Sequence, residues 1–254
     1  IGSVVCNTAM ILAISIIFTP SVIKRKDFAP KSAILIIAVA ALFLLSLSGS
    51  LSMIGAAILL VIFALYIFEN VRSAKSEHSE AASEAPAKDK KSVILNILRI
   101  VIGAACIVIG SRLLVDNGSK IASSWGVSEA IIGVTIVAIG TSLPELVTAI
   151  TSIIKKQSSM SVGNIIGANV IDTTLILATC SFVYGGKLPV SAQNIYLDFP
   201  IAIIVSAIAA VPTIIKGKFS RWQGFLMLAI YIVYLLISTV WLTPYLSLFG
   251  AKLA

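Results

Sequence analysis

Apolar residues run through this chain in eight blocks of near-membrane length, separated by short polar clusters. The blocks lie at roughly 4–21, 32–48, 51–70, 93–114, 127–153, 160–184, 195–215 and 222–245. Each approaches the roughly 20 residues that a helix needs to cross the hydrocarbon of a bilayer, so eight membrane-spanning helices are predicted. The only long polar interruption is 71–92, "VRSAKSEHSEAASEAPAKDKKS". Its Ser, Ala, Glu and Lys content, with Pro86, predicts a mobile linker. His78, the sole histidine, sits there with no Cys or His neighbours, which predicts a solvated residue rather than a metal ligand.

Composition sharpens this picture. The chain has 254 residues, 58% hydrophobic and 12% charged, with a mean hydropathy of +1.05. Soluble domains are about 45–50% apolar and about 25% charged, so a soluble enzyme is excluded. The net charge of +8 lies in clusters between the apolar blocks, which reads as membrane topology and not as nucleic-acid binding. One side collects Lys24, Arg25, Lys26, Lys31, Arg72, Lys75, Lys88, Lys90, Lys91, Lys155, Lys156, Lys216, Lys218 and Arg221. The other has Arg112, Lys120, Lys187 and Lys252, with Arg99 near the inner end of the fourth block. The excess marks the first side, including 71–92, as cytoplasmic. Trp125, Tyr184, Tyr196, Trp222 and Trp241 fall near block ends, as interfacial aromatics do. Cys6, Cys106 and Cys180 lie in apolar stretches, at no zinc or disulfide spacing. The first residues have neither Met nor a basic region and do not read as a signal peptide.

The segment "IGSVVCNTAMILA" (1–13) aligns with "IGANVIDTTLILA" (166–178) at an offset of 165, matching at seven of thirteen positions. The copies lie five blocks apart, the first and the sixth, and an odd number of crossings reverses direction. Inverted repeats of this kind are a hallmark of secondary transporters, with the substrate near mid-membrane at the repeat interface. The blocks at 93–114 and 127–153 have no earlier counterparts in the chain. The expectation is therefore a ten-helix protein of inverted five-helix repeats, with about seventy residues preceding residue 1. Residues 1–70 would be the last three helices of the first repeat, 71–92 a linker, and 93–254 the second repeat.

Of eleven carboxylates, only Glu145 and Asp172 lie deep inside the predicted spans. An acid at mid-membrane costs about 2.5–3.5 kcal/mol even on insertion scales, and such residues mark ion or proton paths. Glu145 closes Gly140-Thr141-Ser142-Leu143-Pro144-Glu145. Pro144 lacks an N–H and clashes with the carbonyl of Gly140, so the helix should bend there and free carbonyls near Ala138, Ile139 and Gly140. Thr141 and Glu145, four residues apart, share a helix face. A hydroxyl, a carboxylate and loose carbonyls are hard oxygen ligands suited to Ca²⁺ or Na⁺; an ordinary proline kink is the alternative. Asp172 closes Gly163-Asn164-Ile165-Ile166-Gly167-Ala168-Asn169-Val170-Ile171-Asp172. The glycines permit close helix packing, but packing does not explain two amides and an acid, Asn169 being three residues from Asp172. In the first copy Ser3 and Asn7 stand where Ala168 and Asp172 stand in the second.

These motifs resemble those of the calcium:cation antiporter superfamily, close to prokaryotic sodium/calcium exchangers. Gly140–Glu145 is similar to its G-T-S-L-P-E segment, Gly163–Asp172 to its G-N-x-x-G-S-N-x-x-D segment, and Ile1–Asn7 to the end of the first-repeat copy. The resemblance follows the spans in order. It implies an all-α membrane fold of two inverted five-helix repeats. It also implies an ion site of Glu145, Asp172, Thr141, Ser142, Asn7 and Ser3 with the Ala138 carbonyl. Two departures stand out: no first-repeat G-T-S-x-P-E is present, and Ala168 replaces a serine.

The function expected is Ca²⁺ exchange for Na⁺ across the cell membrane by alternating access. The partners expected are Ca²⁺, a monovalent cation and the lipid bilayer, with no cofactor and no nucleic acid. Ala168 motivates a proton-coupled exchanger of the same fold as a rival, and the missing motif motivates a transport-inactive fragment or passive scaffold. An intramembrane enzyme is not expected. One in-span aspartate and no in-span histidine supply neither a paired-aspartate nor a serine–histidine site.

Overall fold

The computed structural model describes residues 1–81, 90–127, 132–155 and 157–238. Eight helical rods follow one another: α1 (Gly2–Phe18), α2 (Arg25–Leu45), α3 (Met53–Ala81), α4 (Lys90–Ser124), a bent pair, α7, α8 (Asn194–Lys216) and α9 (Arg221–Leu236). The bent pair is α5 (Thr135–Thr141) and α6 (Leu143–Ile154), and α7 runs through Ser158–Ile171, Asp172–Ile176 and Leu177–Val183. Among the described residues, five rods are long and apolar enough to cross a membrane, and the bent pair makes a sixth. Among the described residues, the predicted first and last spans contain the shorter apolar helices Gly2–Phe18 and Arg221–Leu236. Trp241 and the rest of 239–254 lie outside the described residues.

The connector expected over 71–92 is shorter than its composition implied. α3 continues to Ala81 and α4 begins at Lys90, while 82–89, with Pro86, lie outside the described residues. Ala, Glu and Lys are strong helix formers, and Glu69 and Arg72 pair one turn apart at 3.7 Å on the same helix. A polar composition therefore did not end the helix there.

Two small backbone pairings tie connectors together at opposite ends of α2. Strand β1 (Ser50–Ser52) pairs antiparallel with β2 (Lys187–Pro189), and Val22 forms a bridge with Lys218. The second pairing joins the basic clusters around Lys24–Lys26 and Lys216–Arg221 at one end, as the charge pattern groups them. Gly217 adopts a left-handed φ of 71° at the end of α8, and Arg25 donates from Nη2 to the Ile215 carbonyl at 2.6 Å, capping orphan carbonyls there. At its start, α9 carries a capping box between Ser220 and Gln223.

α1 is central, with Val4, Val5, Cys6, Asn7 and Ala9 all at 0% exposure. α4 is peripheral, exposing almost every apolar side chain from Ile94 to Ile109. It meets the bent pair at Gly140, where an added Cβ would collide with the Val115 side chain. Among the described residues, four π-helical turns occur in the rods: Asn7–Leu12, Gly133–Val137, Asp172–Ile176 and Asn194–Asp198. Such turns are rare and concentrate at functional sites.

Candidate functional site

The break predicted at Pro144 is present. α5 and α6 meet at 55°, and Ser142 is the hinge, with φ −91° and ψ 1°. The carbonyls are less free than expected, however. That of Ala138 accepts from the Ser142 N–H at 3.2 Å and from the Thr141 hydroxyl at 3.1 Å. The Thr141 hydroxyl also donates to Val137 at 2.9 Å. Placing the hinge between Thr141 and Glu145 also ends the regular helical relation that the spacing implied. Glu145 stands in the first turn of α6, half-buried, and its Oε2 is buried with no hydrogen-bond partner.

Glu145 and Asp172 line one cavity of about 380 Å³ together with Gly163, Asn164, Gly167, Ala168 and Ile171. Ser3 in α1 donates its hydroxyl to Asp172 Oδ2 at 3.1 Å and lies 3.4 Å from the hinge hydroxyl of Ser142. Ser3 thus links the acid on α7 to the broken helix. Asn164 donates to Thr148 at 2.9 Å, tying α7 to α6.

Asn7 and Asn169 sit deeper. Asn7 donates to Asn169 Oδ1 at 3.0 Å, and Asn169 donates to Thr8 Oγ1 at 2.7 Å. Both amides are fully buried, and Asn7 Oδ1 is left without a donor. Asn169 therefore holds Asn7 and does not line the cavity, and neither Thr141 nor Ala138 lines it. Ser142, Ser3 and Asp172 form one polar chain, and Glu145 shares the cavity with Asp172. Among the described residues no three His, Cys, Asp or Glu side chains gather as a metal cluster. Two carboxylates and neutral oxygens are what the group offers, with two buried acceptors, Glu145 Oε2 and Asn7 Oδ1, lacking any donor. A buried acceptor without a donor is costly, and a cation is the partner that such oxygens suit.

One buried acid was missed in the sequence. Asp198 is 4% exposed at the end of the fourth π-turn and accepts from the Tyr234 hydroxyl at 3.1 Å. Its place near the start of an apolar block made it read as a span-end residue. The signal that could have found it is the apolar run on both sides, from Ile195 to Val205.

A helical bundle with a broken helix pair and two carboxylates lining one open cavity is an arrangement suited to an ion-handling membrane protein. Comparison with known proteins supplies the family. Residues 95–240, more than half of the chain, match the sodium/calcium exchanger protein family, and the chain belongs to that family. It is 29% identical over 239 residues to an uncharacterized membrane protein of Methanocaldococcus jannaschii, covering 92% of this chain and 73% of that protein. It is 31% identical over 142 residues to the sodium/calcium exchanger MaX1 of Methanosarcina acetivorans, covering 56% of this chain and 40% of that one. Among solved structures it is similar to the sodium-calcium exchanger NCX_Mj soaked with Na⁺ and Sr²⁺. That match has a TM-score of 0.74 and 28% identity, over 94% of this chain and 74% of the other. The chain is thus a membrane protein of the calcium:cation antiporter superfamily.

Proposed function

We propose that the protein carrying this chain exchanges Ca²⁺ for Na⁺ by alternating access, with Glu145 and Asp172 as the charged ligands of the transported ions. The observation that carries this reading is the shared cavity. Two acids face one space, and Glu145 Oε2 has no donor there. Ser3 and Ser142 would add hydroxyl oxygens and Asn7 its free Oδ1, while Asn169 holds Asn7 in place; the Thr141 hydroxyl and the Ala138 carbonyl, bonded to each other at 3.1 Å, would join the ligands only once that bond opens. Ca²⁺ and the monovalent ion compete for the same carboxylates. The bare acids repel each other and resist enclosure, and a bound cation neutralises them, so the loaded site is the one that switches.

An inverted-repeat architecture with its basic loops on the cytoplasmic side belongs to the same reading. Two geometric facts support it. The π-turns beginning at Asn7 and Asp172 are 165 residues apart, the offset of the sequence repeat. The same offset carries Val22 onto Lys187 and, to within one residue, Ser52 onto Lys218, exchanging the two backbone pairings.

Ala168 supports a second reading, coupling to protons. It lines the cavity with a methyl group, whereas Ser3, its counterpart in the first copy, carries a hydroxyl that donates to Asp172. Calcium uptake into vesicles containing the purified protein tests both readings. Glu145→Ala is expected to abolish uptake, and unchanged uptake discards that residue's role. Replacing sodium by choline under a pH gradient is expected to stop uptake; persistence assigns the coupling to protons.

A further inference from the structure

Behind the carboxylate cavity lies a second, smaller space. It is a void of about 10 Å³ where α1, α2, α7 and α8 meet, walled mostly by apolar side chains. Four polar side chains reach it, one from each helix: Thr8, Ser32, Asn169 and Ser206. All four are at most 3% exposed. The hydroxyls of Ser32 and Ser206 are buried and have no hydrogen-bond partner.

The chain provides its own control. Hydroxyls within its helices ordinarily satisfy themselves by donating to a carbonyl one turn back, as those of Ser111, Thr151, Thr173 and Thr179 do. Ser32 and Ser206 are also within helices, yet both forgo that bond and line the void instead. Both orphaned hydroxyls belong to residues that line one space, and each unmet group costs about 1–3 kcal/mol, so an occupant that bonds both is favoured.

Size and charge choose the occupant. The void has room for about one water molecule. No carboxylate lines it, and an uncompensated cation among neutral walls would carry a penalty of several kcal/mol. A water can accept from one hydroxyl, donate to the other, and reach the Thr8 hydroxyl, which already accepts from Asn169. We infer that a single resident water occupies this void, bridging Ser32 on α2 and Ser206 on α8 and joining them to the Thr8–Asn169–Asn7 chain. It pins α2 and α8 to the π-turn of α1, whichever ions are moved.

A high-resolution structure of the whole protein tests this directly. The expected result is one spherical peak within about 3.2 Å of both hydroxyls. It should persist in sodium-free medium and show no anomalous signal after thallium soaking. An empty void, a peak lost with sodium, or a thallium signal there overturns the inference. Melting temperatures give a second reading. Ser32→Ala and Ser206→Ala should each lower Tm by about 2–4 °C, and the double variant by less than the sum, since both remove bonds to one water. A single variant that melts unchanged or higher shows a dry void with orphaned hydroxyls and also overturns it.

Discussion

The π-turns Asn7–Leu12 and Asp172–Ile176 share a backbone form and differ in charge at their first residue. Asp172 lines a cavity and accepts a hydrogen bond from the Ser3 hydroxyl. Asn7 is sealed at 0% exposure and spends its N–H on Asn169. One turn supplies charge to the site, and the other supplies a neutral amide and a tether. The sequence shared by the two segments, including Thr8 with Thr173 and Leu12 with Leu177, accompanies the common geometry. The chemistry rests on the residues that differ. A repeat can thus preserve a scaffold while its two halves divide the work of a binding site.

Making the turns alike should have the largest effect. Asp172→Asn leaves Glu145 the only carboxylate on the cavity, and Ca²⁺ uptake should fall at least about tenfold, equivalent to about 1.4 kcal/mol. Retained uptake would mean that the charge difference between the turns is incidental. The reverse change, Asn7→Asp, replaces a buried donor with an acceptor facing Asn169 Oδ1. The loss of that bond should cost about 1–3 kcal/mol, read as a Tm several degrees lower. An unchanged Tm would show that the amide pair is not a tether. Ala168→Ser, which matches the cavity wall to Ser3, should have the smallest effect. A few-fold steeper dependence of uptake on sodium is expected, with Tm nearly unchanged. No change in sodium dependence would argue that this hydroxyl position does not separate the halves.

Much of this was legible in the residues. Glu145 and Asp172 stood out because charge is rare in apolar spans, and Pro144 announced the bend because it has no N–H to give. The helical order followed from the apolar blocks. What was hidden depended on long-range contacts. No local rule places a π-turn at Asn7, and none predicts that Asn169 turns away from the cavity to hold it. The Ala138 carbonyl was expected to be loose, yet the Thr141 hydroxyl and the Ser142 N–H, one turn on, satisfy it. Asp198 looked peripheral because its depth is set by packing beside Tyr234, 36 residues away. Residues 71–81 read as linker because composition reports solubility more clearly than backbone state.

If Glu145 and Asp172 hold one ion between them, equilibrium Ca²⁺ binding to the purified protein must depend on both. Calorimetric titration should show binding weakened at least about tenfold in Glu145→Gln and in Asp172→Asn alike. The double variant should show no measurable binding. Calcium binding of wild-type strength in the double variant would contradict the shared site outright.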